Sequence, residues 1–80
     1  MILILAPNSK EATKFAISHG LRQGSWHYII GADTLRGLVR PTICRVGEYW
    51  KRLDIEAVER EVSLRDARCV TALDILNKQV

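Results

Sequence analysis

Eighty residues, 48% hydrophobic and 26% charged, describe one globular core: chains divide into several cores only above roughly 250 residues, and disordered chains lack this much apolar content. A second domain is not expected within these residues. The net charge of +3 falls short of the dense basic cluster of a strong nucleic-acid binder, yet it is unevenly placed: residues 1–52 hold eight Lys and Arg against three acids, residues 53–80 four against six.

The longest apolar run, Met1 to Ala6, is far shorter than the ~20 residues that span a bilayer, and it lacks a basic flank and a cleavage site. Neither a membrane anchor nor a secretory leader is expected, and the expected location is cytoplasmic. Ile2 to Ala6, closed by Pro7, instead suits a strand buried on both faces, as parallel sheets require. Asn8 with Glu11 three residues on reads as a capping box that opens a helix. Ala12, Phe15, Ala16 and His19 share one face of that helix, which should end near Gly20.

Trp26 to Ile30, aromatic and β-branched between Gly24 and Gly31, reads as a second strand. Asp33 or Thr34 can cap a short helical turn through Leu38, and Thr42 to Val46 forms a third strand that Gly47 ends. Arg45 within that strand predicts a sheet edge or one exposed face, because an enclosed parallel strand is apolar throughout.

Asp54 then caps a long helical stretch, since no Gly or Pro follows Gly47. Ile55, Val62, Cys69 and Leu76 recur every seven residues, with Val58, Ala72, Leu73 and Val80 near the same stripe, interrupted at Arg65 and Asp66. The expected element is one helix over residues 55–79. A break near Ser63, with Ser63 capping a second helix or with Cys69 to Leu73 as a fourth strand, is the alternative. The expected fold is therefore a single α/β domain: a reduced, three-stranded, parallel Rossmann-like sheet with a long C-terminal helix. At 1.5 Å per residue that helix outruns the sheet, so Cys69, Leu73, Leu76 and Val80 are expected to form a helix interface that makes the chain a homodimer or docks it on a helical partner.

Chemistry is sparse. Cys44 and Cys69 lie 25 residues apart without a secretory context, which favours two buried thiols over a disulfide, and His19 and His27 complete no zinc spacing. No metal, cofactor or catalytic residue is expected. Parallel strands would gather three loops at their carboxyl ends, where ligands of such folds bind. These supply Asn8, Ser9 and Lys10, then Asp33 and Arg36, then Tyr49, Trp50, Lys51 and Arg52. The first loop opens a helix whose free N–H groups favour an anion. No Gly precedes Gly20, however, so neither a phosphate loop nor a dinucleotide fingerprint can form. Tyr49 to Arg52 combines aromatic faces with cations, which suits a protein interface or the stacking of nucleic-acid bases.

The run Leu35-Arg36-Gly37-Leu38, followed by Pro41-Thr42 and a strand ending Arg45-Val46-Gly47, resembles small uncharacterised Rossmann-like proteins of actinobacterial phages. The likeness covers the layout of residues 1–66. It carries no catalytic residue to this sequence. It implies an accessory protein that acts in the host cytoplasm by engaging a host factor. The expectation is thus a non-catalytic protein-interaction module, with a nucleic-acid-binding module built on the same basic and aromatic edge as the alternative.

Overall fold

The computed structural model describes residues 1–78, with side chains as far as residue 75. Four parallel strands form one sheet in the order β2–β1–β3–β4: β1 Ile2–Leu5, β2 Trp26–Tyr28, β3 Thr42–Arg45 and β4 Arg68–Val70. Strand β1 pairs β2 through Leu3 and His27, and β3 through Leu3 and Ile43, while Ile43 also faces Cys69 of β4. Three helices complete the layers: α1 Ser9–Ser18, α2 Ile55–Leu64 and α3 Ala72–Lys78. Two 3₁₀ turns, Ala32–Thr34 and Tyr49–Lys51, follow β2 and β3.

Alternation along the strands divides the core between two faces. Leu3, Leu5, Ile29 and Ile43 point to the face covered by Val58 and Val62 of α2, together with Leu35 from the β2–β3 connection. Ile4 and Ala6 point to the opposite face and meet Ala12 and Ala16 of α1. Beside them, Cys44 and Val70 meet Ile75 of α3. The sheet is therefore enclosed on both sides, which is why β1 is an unbroken apolar run.

Helix α1 begins where the sequence places its cap. Asn8 Oδ1 accepts a hydrogen bond from the Glu11 backbone N–H at 2.9 Å. Its face of Ala12, Phe15 and Ala16 is turned to the sheet as the periodicity requires.

The C-terminal third differs from the expectation of a long helix. Helix α2 ends at Leu64, and the chain reverses through Asp66, whose φ of +51° is left-handed. The Ala67 N–H then bonds the Val62 carbonyl oxygen at 3.1 Å and the Arg68 N–H bonds that of Pro41 at 2.8 Å, which starts β4. There is no helix over residues 55–79, and the sheet has four strands instead of three. The weaker alternative, a break after Ser63 followed by a strand, describes this region better, although β4 ends at Val70 and not Leu73. Thr71 and Asp74 cap α3 reciprocally: the Thr71 N–H donates to Asp74 Oδ2 at 2.9 Å, and the Asp74 N–H donates to Thr71 Oγ1 at 3.3 Å.

Of the two placements expected for Arg45, the sheet edge is the one the structure overturns. Strand β3 lies inside the sheet, between β1 and β4. The guanidinium is tolerated because Glu59 of α2 accepts from Nε at 3.2 Å and from Nη2 at 2.9 Å, which satisfies a half-buried charge with a bidentate partner.

Candidate functional site

All three loops singled out in the sequence lie at the carboxyl ends of the parallel strands: residues 7–10 after β1, 31–36 after β2 and 47–52 after β3. The strand order reverses between β1 and β3, the position at which open α/β sheets form a crevice. Here an open crevice of about 380 Å³ is lined by Pro7, Asn8, Glu11, Gly47 and Glu48. Two carboxylates thus share the crevice with the amino end of α1. They oppose the anion that the helix end would otherwise favour, so this crevice is poorly suited to a phosphate. Gly47, at a φ of +57°, makes the turn out of β3 beside Pro7.

Arg52 organises the edge. Its side chain is only 6% exposed, and all five guanidinium N–H donors are engaged. Nη1 donates to the carbonyl oxygens of Ala6 at 3.2 Å and Ile29 at 2.7 Å, and Nη2 to that of Ile30 at 2.9 Å. Nε and Nη2 also form a fork on Asp54, at 2.8 and 2.9 Å. The Tyr28 ring lies 5.3 Å from the guanidinium carbon. One side chain from the loop after β3 therefore fastens the ends of β1 and β2. Asp54 sits at the cap position of α2, but its side chain makes no cap bond, because both oxygens face Arg52.

That pairing acts on the carboxyl group. The hydrogen bonds from Arg52 hold Asp54 below the usual aspartate range, against a smaller opposing effect of burial, with the charge of Arg52 adding to the lowering.

The other cations of the edge are largely committed as well. Arg36 pairs with Asp33 at 2.8 Å, and Lys51 with Glu48 at 2.6 Å, both pairs exposed. Lys10 is exposed and makes no ion pair among the described residues. Ser9 is held in the first turn of α1, where its carbonyl oxygen accepts from Thr13 Oγ1 at 2.9 Å. Tyr49 is half-buried against the α2 face of the core, with the Arg45 guanidinium carbon 5.8 Å from its ring. Trp50 meets it edge-on, ring centroids 5.3 Å apart, and leaves 59% of its own surface in solvent.

Two residues of this edge were not anticipated from sequence. Leu53, next to the fastened Arg52, is fully exposed, and Ile30, whose carbonyl oxygen Arg52 binds, is 70% exposed. The Ile30 N–H donates to Thr34 Oγ1 at 3.2 Å, so its backbone is fixed at both polar groups. The available signal was that Leu53 stands between a charged pair and ahead of the buried positions of α2.

The expected helix interface is dispersed. Cys69, expected as a buried thiol, is instead exposed on β4, where its neighbour Val70 takes the inward position, and its Sγ lies 3.0 Å from Arg45 Nη1; Leu73 lies exposed on α3. The Leu76 side chain and Val80 fall outside the described part of the chain. The long helix expected to bear that stripe is absent, and Cys69 and Leu73 stand on different elements. Among the described residues no group of three or more His, Cys, Asp or Glu could hold a metal ion, and no helix is long and apolar enough to cross a membrane.

Comparison with protein-family models, with curated proteins and with solved structures finds no match to this chain.

Proposed function

We propose that the chain is a non-catalytic protein-interaction module that docks a partner on the carboxyl edge of its sheet. The observation that carries this reading is the exposure of Ile30, Trp50 and Leu53 on segments joined by the Arg52 hydrogen bonds. Solvated apolar side chains held on a rigid backbone are pre-organised, so little conformational entropy is lost when a partner covers them. Trp is over-represented among the residues that dominate binding, and the neighbouring Glu48–Lys51 and Asp33–Arg36 pairs supply a polar rim.

Nucleic acid fits the edge less well. Of the cations Lys10, Arg36, Lys51 and Arg52, three are engaged by carboxylates, and Arg52 has no donor left for a phosphate. The strand order and the helices on both faces support a reduced Rossmann-like layout. Together with the resemblance to phage accessory proteins, this makes a host factor the partner to seek.

The test is affinity capture from an actinobacterial lysate with the wild type and with Trp50→Ala and Leu53→Ser variants whose circular dichroism is unchanged. A protein retained by the wild type and lost by both variants supports the reading. Retention that is indifferent to both changes, or capture of nucleic acid alone, overturns it.

A further inference from the structure

We draw no further inference here: the strongest candidate, the apolar groove of Met1, Leu3, Leu38, Val39 and Pro41 at the amino ends of β1 and β3, is an unpartnered surface, and nothing in the structure shows what covers it.

Discussion

Arg52 Nη1 lies 2.7 Å from the carbonyl oxygen of Ile29, so a side chain from the loop after β3 closes the end of β2, two strands away in the sheet. Replacing Arg52 by Lys keeps the charge but removes the planar fork. A Lys ammonium has three donors, too few to serve Ala6, Ile29, Ile30 and both oxygens of Asp54. Arg52→Lys is expected to cost about 1.5 to 3 kcal/mol, the range for losing bonds to a charged group. Urea denaturation measures it, and a midpoint equal to that of the wild type would contradict the role assigned to Arg52.

The Asp54 carboxyl group titrates lower in the folded chain than in the unfolded one, mainly because Arg52 donates to its ionised form. A depressed folded value means that the pairing stabilises the fold above the unfolded value of 3.8. That contribution is lost as pH falls through the folded value. Stability should therefore fall from about pH 4 downward, and part of this fall should vanish in Asp54→Asn, which is already weaker at neutral pH. Urea midpoints at pH 7, 4 and 3 for the two proteins decide the matter. Parallel pH profiles would remove Asp54 from the acid sensitivity.

Asp66 adopts a φ of +51° where α2 gives way to β4. An L-residue in that region costs roughly 1 to 2 kcal/mol relative to glycine. The Asp66–Arg40 ion pair at 3.3 Å is exposed on both sides and returns little. Asp66→Gly is thus expected to raise stability by about 0.5 to 1 kcal/mol, or a few degrees in Tm for a domain of this size. In an uninterrupted helix the same change would lower stability by a few tenths of a kcal/mol or more. The sign of the thermal shift consequently distinguishes the two arrangements.

The two thiols should behave differently. Cys44 is buried, and burial first, then the charge of Asp74, raises its pKa above the ordinary 9.0; Cys69 is exposed. A thiol-reactive chromogen should label one cysteine rapidly in native protein and the second only with unfolding, and mass mapping should place the fast label on Cys69. Since the folded value of Cys44 is the raised one, its neutral thiol favours the fold below about pH 9. That contribution is lost as pH rises further. Equal labelling rates at neutral pH would refute the buried placement.

The first half of the fold was legible because its signals are local. The apolar run of β1, the Asn8 cap and the α1 stripe each appear within a few residues and recur in the structure with their boundaries nearly intact. The C-terminal third misled for a physical reason. Its turn uses Asp66, not a glycine, in the left-handed region, so the usual stop was missing. A seven-residue recurrence also ran by coincidence through a strand, where Val70, not Cys69, is the buried residue. The Thr71-x-x-Asp74 cap that starts α3 is a local signal too, but the sequence reading did not use it. At the candidate site, the three loops could be assigned to one edge from strand order alone. The commitment of Arg52 could not, because its partners lie 23 and 46 residues away in the chain, at Ile29 and Ala6.

Those long separations also bear on the order in which the molecule assembles. Local contacts such as the α1 cap form early, whereas Arg52 can reach the ends of β1 and β2 only when both strands and the loop after β3 are already in place. A contact made that late is absent from the folding nucleus, and its strength is expressed in how slowly the native chain opens more than in how quickly it forms. Arg52→Lys should therefore speed opening of the carboxyl edge that carries the exposed Ile30, Trp50 and Leu53 more than it slows folding.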